Sequence, residues 1–569
     1  MDFSKINLAD NQVLAREIIE RAAGKNFKNR SQFEKFRNGI IKQHRGRIFH
    51  NLYFIKAYND LVKEGRIVLN DSLLGLIQKR SVRTMSGVAP VTVLTKPYPC
   101  PGRCIYCPTD ARMPKSYLPS QPAAQRAFRQ GFDPYTQVFV RLKALVMTGH
   151  EISKVELRVI GGSWSAYPKK YQIWFLKRCL MAMNEFHYQI GQGRADDMAK
   201  ITKKRKIESK YGTDIVNTVF IKSLSKNVSF GEAVSKNEMA KVRCIGINVE
   251  TRPDLIDEKE VKRMRQLGVT KVEMGVQTTS DRIYALTRRG HKISDVRNAT
   301  CLLKDAGFKV GYHMMPNLPG STVKFDKKMV GELFGNPDFQ PDYLKIYPCV
   351  VMPRTVLSQM YRRGEYKSYD EAELEEVLME EMKAVPEWCR IDRIARDIPS
   401  NEVESGFRVS NIRQILEERL RKEGSACRDI RSREVRGAVV DPENVRLVTR
   451  EYEASGGKEV FLSYEDVKND RLVALLRLRF PGRIFISELK NSALVREIHV
   501  YGRQIPVGGS VEKGSRQHMG WGSRLMAEAE RLAKAGGYKR LAVISGIGTR
   551  EYYSKKGYEL EGTYMVKGL

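Results

Sequence analysis

Cys100-Pro101-Gly102-Arg103-Cys104-Ile105-Tyr106-Cys107 spaces three thiols as C-x3-C-x2-C just after a β-branched run, Val91–Leu94. Three thiolates hold three irons of a four-iron cube and leave one iron open to a ligand, whereas ordinary electron-transfer clusters use four cysteines. The competing reading is structural zinc, which wants a fourth ligand close by. The next histidine or cysteine downstream is His150, so zinc is the weaker reading.

Outward from the triad, short β-branched runs alternate with amphipathic stretches: Val155–Ile160, Val242–Val249, Lys271–Val276, Val310–Met314 and Leu344–Val351. This rhythm predicts a parallel sheet rolled into an open or closed (β/α) barrel, a fold that gathers its chemistry at the C-terminal ends of the strands. Asp257 with Glu260 three residues on predicts a capping box for a helix that stops at Gly268, and a later helix should end at Gly307. Gly161-Gly162 follows the first run; glycines there let a backbone approach a ligand, although a plain turn gives the same pair.

Beyond about Arg436 the texture becomes strand-rich, then passes through a Gly-rich turn into a predicted helix Trp521–Ala535 and a strand Leu541–Ile544. That is a separate α/β domain, reached through an Arg- and Glu-rich connector with its own helix, Asn411–Lys422. The expected organisation is a basic N-terminal region (1–80), a barrel (81–399), the connector (400–436) and the C-terminal domain (437–569).

A chain of 569 residues exceeds what one hydrophobic core serves. With 42% hydrophobic and 9% aromatic residues it carries enough apolar material to fold. Its 99 Lys+Arg against 66 Asp+Glu leave +33, an excess that attracts polyanions by neutralising phosphates and releasing counterions. Nucleic acid is the favoured partner; a merely soluble basic protein would show the same charge. A membrane partner is disfavoured because no run of roughly eighteen apolar residues occurs. Met1-Asp2-Phe3-Ser4-Lys5 also lacks the apolar run of a signal peptide, which predicts a cytoplasmic protein with reduced thiols. Between Arg16 and Arg47 ten Lys/Arg face three acidic residues, interleaved with Phe27, Phe33 and Phe36. This reads equally as an RNA-contacting arm or as a solvated helical face with its aromatics turned inward. A second basic run, Lys203-Lys204-Arg205-Lys206, falls in a polar stretch, about Gly191 to Ser229, that reads as a surface insertion.

In the C-terminal domain, Gln517-His518-Met519-Gly520-Trp521-Gly522 leads into the predicted helix. Backbone N–H groups at such a turn bind phosphates. Its companions are the strand Glu497-Ile498-His499-Val500-Tyr501 before it and the pair Tyr552-Tyr553 after it.

The triad resembles the radical S-adenosylmethionine (SAM) signature, and Gly161-Gly162 resembles the turn that approaches the SAM amino group. The C-terminal loop resembles the pyrophosphate loop of GNAT-type acetyltransferases. Together with Lys96–Pro108, Tyr117–Tyr135, Glu250–Asp254, Gly275–Gln277, Arg289–His291, Met315–Gly320, Asp397–Pro399 and Ile544–Tyr553, these motifs are similar to the catalytic-subunit family of Elongator in its single-chain archaeal and bacterial form. The resemblance covers the chain from about Ser81 onward.

That resemblance implies a radical SAM partial (β/α) barrel joined to a GNAT-type domain, with a 4Fe-4S cluster on Cys100, Cys104 and Cys107. It implies that SAM and acetyl-CoA together place a carboxymethyl group on carbon 5 of the wobble uridine in the anticodon stem-loop of tRNA. A SAM-derived deoxyadenosyl radical would take hydrogen from the acetyl methyl group, the carbon radical would add to uracil, and thioester hydrolysis would leave the carboxylate. Acetyl-CoA would be lined by Lys154, Glu497, Ile498, His499, Val500, Arg516, Gln517, His518, Gly520 and Gly522, with Tyr552 or Tyr553 beside the thioester and Lys154 counted as catalytic; Gly161 and Gly162 would serve SAM. Many relatives hold zinc near the connector, but Cys427-Arg428-Asp429-Ile430-Arg431-Ser432 keeps one thiol, which puts such a site in doubt. The rival readings are a histone- or tubulin-type lysine acetyltransferase with a structural cluster, and a tRNA-binding scaffold without catalysis. The strong positive charge disfavours basic histone tails as substrates. Homodimerisation and Elongator accessory subunits are left open.

Overall fold

A computed structural model describes residues 12–43, 51–68, 70–77, 87–190, 202–209, 212–221, 223–225, 227–409, 411–436, 440–501 and 520–569. Seven strands form one all-parallel sheet in the order β1 (Ala89–Leu94), β2 (Lys154–Ile160), β5 (Arg243–Thr251), β6 (Lys271–Gln277), β7 (Lys309–Met314), β8 (Tyr343–Ile346) and β9 (Arg390–Ile394). Between β2 and β5 the chain inserts an antiparallel hairpin of β3 (Thr202–Ser209) and β4 (Gly212–Ile221), so the expected insertion carries a two-stranded sheet of its own.

Two strand expectations are corrected. The run Leu344–Val351 ends as a strand at Ile346, and Pro348, which has no N–H to give a ladder, follows two residues later. Strand β9 was not anticipated, because Arg390-Ile391-Asp392-Arg393-Ile394 alternates charge with isoleucine and reads like a solvated edge. The helix Glu258–Gln266 is capped by Asp257, whose carboxylate accepts from the Glu260 N–H at 2.7 Å. Only this half of the expected capping box forms, since the Glu260 side chain turns to Arg263.

The N-terminal region packs the helices Gln12–Ala23, Arg30–Gln43, Asn51–Lys63 and Asp71–Ile77 around a core that includes Phe33, Phe54 and Leu61. Phe27 meets Phe33 and Phe36 with ring centroids 5.5 and 5.3 Å away, so these aromatics turn inward and the lysines between them are left as the exposed face.

A second seven-stranded sheet follows the connector: β10 (Val445–Ala454), β11 (Gly457–Asp466), β12 (Arg471–Phe480), β13 (Ser492–Val500), β14 (Arg540–Val543), β16 (Tyr564–Gly568) and β15 (Glu559–Glu561), in that spatial order. It is antiparallel except for β13 against β14, and the helix Trp521–Ala535 packs across it. One face of the second sheet joins the barrel's core, where Leu494, Ala542 and Ile544 pack with the barrel's own apolar residues, while the helix Trp521–Ala535 covers a separate core on the other. A Cβ on Gly546 would lie 2.0 Å from the Ile245 carbonyl oxygen, so only glycine allows the backbones to approach this closely.

Buried charges fasten the same seam. Arg496 on β13 grips both Asp342 oxygens at 2.6 and 2.8 Å, Arg479 on β12 reaches Asp305 at 2.7 Å, and Arg243 on β5 meets Glu551 at 2.6 Å. Burial by itself raises the Asp342 carboxyl, but Arg496, Lys304 and Arg477 outweigh it and hold the group well below the usual carboxylate range.

Candidate functional sites at the two ends of the barrel

Because every barrel strand is parallel, the loops after the strands share one mouth and the residues before them share one floor. The triad is at the mouth, on the loop that leaves β1. Cys100 Sγ lies 3.8 Å from the hydroxyl of Ser163, next to Gly161-Gly162 at the end of β2. Gly161 has φ +138°, and a Cβ there would sit 2.1 Å from the Thr95 hydroxyl, so the glycine lets the β1 and β2 loops converge.

Two guanidinium groups stand behind the cysteines. Arg289 Nη1 donates to Cys104 Sγ at 3.3 Å, and its other nitrogen donates to the Gly275 carbonyl. Arg252 is buried and bound to Asp254, yet its Nη1 has no hydrogen-bond partner and points at Gly102 of the cysteine loop. Burial tends to raise the Cys104 thiol, but Arg289 and Arg252 hold it below its ordinary value; Cys107, buried beside Cys104, is pushed up to about 11.

The donor set discriminates between metals. Four thiolates on one zinc ion stand about 3.8 Å apart, the edge of a tetrahedron with 2.3 Å arms. Among the described residues the one group of potential ligands gathered within 4.8 Å is Glu250, Glu273 and His313; the triad is spread more widely. Three spread thiols with cationic donors behind them fit a cube better than a single ion.

The bore of the barrel is filled by a column of alternating charge that the sequence reading missed. From the floor upward, Arg390 meets Asp392 at 3.0 Å, Asp392 meets Lys271 at 2.7 Å, and Lys271 meets Glu273 at 3.3 Å. Glu273 then pairs with Lys345, Lys345 with Glu250 at 3.0 Å, and Tyr117 donates to Glu250 at 3.2 Å near the mouth. His313 joins Glu273 at 3.0 Å. The ammonium of Lys345 already supplies the positive charge that the Glu250–Glu273–His313 group calls for.

At the floor, β13 and β14 run hydrogen-bonded only from Ser492–Val495 against Arg540–Val543 and then part. A cavity of about 180 Å³ opens between the parted strands and the barrel, lined among others by Arg158, Lys309, Tyr343, Ile498, His499 and Tyr553. Lys154, the first residue of β2, shares its strand face with Glu156 and Arg158, which both line the cavity; burial lowers its ammonium.

Glu497 lines the same cavity but is bound by Arg477 at 2.9 Å and by the Tyr343 hydroxyl. Against the upward pull of burial, Arg477 holds its carboxyl at about 2, which makes it a brace and a poor base. Tyr553 is buried and faces the cavity. Tyr552 instead turns to the start of the helix, where a Cβ on Gly522 would lie 3.3 Å from its hydroxyl; Val500 flanks the same point. Burial raises both phenols, so both remain protonated donors at neutral pH.

The helix Trp521–Ala535 begins at the predicted residue with Gly520 as its N-cap. Arg516, Gln517 and His518 lie outside the described residues. In the connector, Asp429 accepts from Arg413 and Ser432, both at 2.7 Å, beside Cys427. The structure therefore gathers the triad with Gly161 and Gly162 at the mouth. It gathers Lys154, Glu497, Ile498, His499, Val500, Gly520, Gly522, Tyr552 and Tyr553 at or beside the floor.

Comparison with known proteins identifies the family. Residues 231–327 match the radical SAM superfamily and residues 341–422 the radical SAM C-terminal domain. A tRNA uridine(34) acetyltransferase of Methanocaldococcus infernus is 42% identical over 570 residues, covering 98% of this chain and 99% of the relative. Elongator complex protein 3 of Saccharomyces cerevisiae is 37% identical over 87% of this chain and 86% of its own length. The solved structure of the archaeal Methanocaldococcus infernus Elp3 with an N-terminal deletion (1–46) superposes with a TM-score of 0.69 at 42% identity, covering 85% of this chain and all of that one. At such identity over nearly its whole length, the chain belongs to the family of radical SAM enzymes formed by the tRNA uridine(34) acetyltransferases and Elongator complex protein 3.

Proposed function

We propose that this enzyme modifies uridine 34 of tRNA, using SAM and acetyl-CoA to attach a carboxymethyl group to carbon 5. The observation that carries the reading is the pairing of a spread three-thiol site at the mouth with a parted-strand cavity at the floor of one barrel. Cys100, Cys104 and Cys107, beside Gly161 and Gly162, would hold a four-iron cluster with SAM, which when bound would supply radical chemistry able to take hydrogen from an unactivated C–H. Such a source is needed because a positioned base gains only about two to four orders of magnitude, too little for a thioester methyl group at neutral pH.

The chain's own residues do the rest. N–H groups at the start of the Trp521–Ala535 helix take the pyrophosphate of coenzyme A, and the parted end of β13 takes the pantetheine arm. Tyr553 donates to the thioester carbonyl, with Lys154 beside it. Tyr553→Phe is expected to slow acetyl-CoA turnover by about 100-fold, the usual cost of one oxyanion donor, with unchanged acetyl-CoA binding. Tyr552→Phe should change turnover little; the reverse ranking in a coenzyme A release assay would move the role to Tyr552.

The N-terminal helices (within 1–80) form the tRNA-gripping region, ahead of the barrel (81–399), connector (400–436) and acetyltransferase domain (437–569). Lys28, Lys35 and Lys42 are exposed along this region. Replacing all three by alanine should flatten the slope of log affinity against log salt by about 2. An unchanged slope would take these lysines out of the tRNA surface.

The product is tested by mass spectrometry of tRNA nucleosides made with labelled acetyl-CoA. Carboxymethyluridine carries one oxygen more than acetyluridine, so a plain acetylated base would overturn the reading, as would labelled protein lysine with unmodified tRNA.

A further inference from the structure

Beside the triad lies a row of aromatic rings whose middle, Tyr167 and Tyr171, packs on the barrel and whose ends reach the surface. Tyr98, two residues before Cys100, stands 5.0 Å from Tyr167 between ring centroids; Tyr167 stacks on Tyr171 at 5.2 Å, and Tyr171 meets Trp174 at 5.6 Å. Interplanar angles of 31°, 23° and 33° make the row a staircase of one stacked and two tilted contacts.

The middle of the staircase is pinned to the segment that carries the cysteines. The Tyr167 hydroxyl donates to the Lys96 carbonyl at 2.8 Å, and the Lys96 N–H donates to the Tyr171 hydroxyl at 3.1 Å. Its ends are open: Tyr98 is 36% exposed and Trp174 40%, with Ile173 at 44% beside it. Large apolar surface left in water next to a reaction centre marks a contact surface rather than a core.

The charges around the row select the occupant. Lys96 holds its ammonium 5.0 Å above the Tyr171 ring, and Lys169 and Lys170 are exposed at the start of the same helix, Lys169–Ile190. Among the described residues none of these three lysines pairs with a carboxylate. Aromatic faces flanked by unpaired lysines bind single-stranded nucleic acid, since every base has a π-face and every linkage a phosphate. A duplex keeps its bases stacked on one another and offers this surface only phosphates.

We propose that the exposed ends of the staircase, Tyr98 and Trp174, backed by Tyr167 and Tyr171, are a stacking platform for unpaired RNA bases, with Lys96, Lys169 and Lys170 taking the adjoining phosphates. It delivers the loop of the RNA to the cysteine loop. This deepens the tRNA reading above and rests on it: a base stacked on Tyr98 lies beside the residues that hold the radical source.

The test uses the full chain with two probes, an anticodon stem-loop RNA and a blunt duplex of the same stem. Trp174→Ala and Tyr98→Ala are each expected to weaken stem-loop binding on the order of tenfold, leaving duplex affinity and the salt slope unchanged. Tyr98→Phe, which keeps the ring, should restore wild-type binding. Lys169→Ala with Lys170→Ala should instead flatten the salt slope by about 1.4. Stem-loop quenching of tryptophan fluorescence should be present in the wild type and reduced in Trp174→Ala. Unchanged stem-loop affinity in both alanine variants, or an equal loss for stem-loop and duplex, would overturn the platform. If the wild-type chain bound neither RNA, the tRNA reading itself would fall, whereas stem-loop binding without uridine modification would strike at the chemistry and leave the platform standing.

Discussion

Cys104→Ser is expected to abolish uridine modification while leaving acetyl-CoA binding intact. Serine replaces a soft thiolate by a hydroxyl that stays protonated at neutral pH, and two thiols do not keep a cube. The substitution also strips Arg289 of its sulfur partner, so a buried guanidinium nitrogen loses its acceptor. The purified variant should show little iron and no SAM cleavage to 5′-deoxyadenosine after anaerobic reconstitution. The floor cavity is built from other strands and should bind acetyl-CoA as before. A variant that modified uridine at the wild-type rate under strict anaerobiosis would remove the triad from the mechanism.

Asp342→Asn should be the most destabilising single change in the seam, costing about 3–5 kcal/mol because Arg496, Arg477 and Lys304 lose the buried carboxylate they share, leaving Glu459 as the remaining carboxylate on Arg496. Asp342 is fully buried and faces Arg496, Arg477 and Lys304, while Glu459 and Asp305 take up the remaining charge around Arg479. The sign of the pH dependence follows. A carboxyl depressed in the folded state contributes stability that is complete above its unfolded value near 4 and is lost as pH falls toward the folded value. Wild-type stability should therefore hold through mildly acidic solution and fall steeply below about pH 4, a loss to which Glu497 also contributes through its shift to about 2. The variant should lack part of that acid transition and unfold at lower urea at pH 7. Coincident denaturation midpoints for both proteins at pH 7 would show that the network is dispensable.

Much of the architecture was legible in the residues. Apolar runs of β-branched side chains marked six of the seven barrel strands because their outer faces lie under helices, and the amphipathic pattern after Gly520 placed the helix Trp521–Ala535 at its observed ends. Reading failed where burial is polar. Arg390-Ile391-Asp392-Arg393-Ile394, Lys271 and Glu273 look like surface residues, and only closure of the sheet brings their charges together inside it. The basic aromatic stretch from Arg16 to Arg47 was ambiguous until Phe33 was found in a core. Both candidate sites could be read as motifs, but not their separation, which depends on β13 and β14 docking against the beginnings of the barrel strands. Of Tyr552 and Tyr553, adjacent in sequence, helical geometry alone decides which faces the cavity.

The charged column gives the barrel the character of an airlock. Side chains such as Lys271 and Glu273 are about 2% exposed, so among the described residues the middle of the bore is filled by paired charge. Anything travelling between floor and mouth must part at least one pair, such as Lys271 from Asp392 or Lys345 from Glu250, and so give up a charge-assisted contact in a poorly hydrated bore. Traffic through the bore is therefore an activated event. Under the proposed function, a thioester at the floor and a radical at the mouth would stay quarantined until that event occurs.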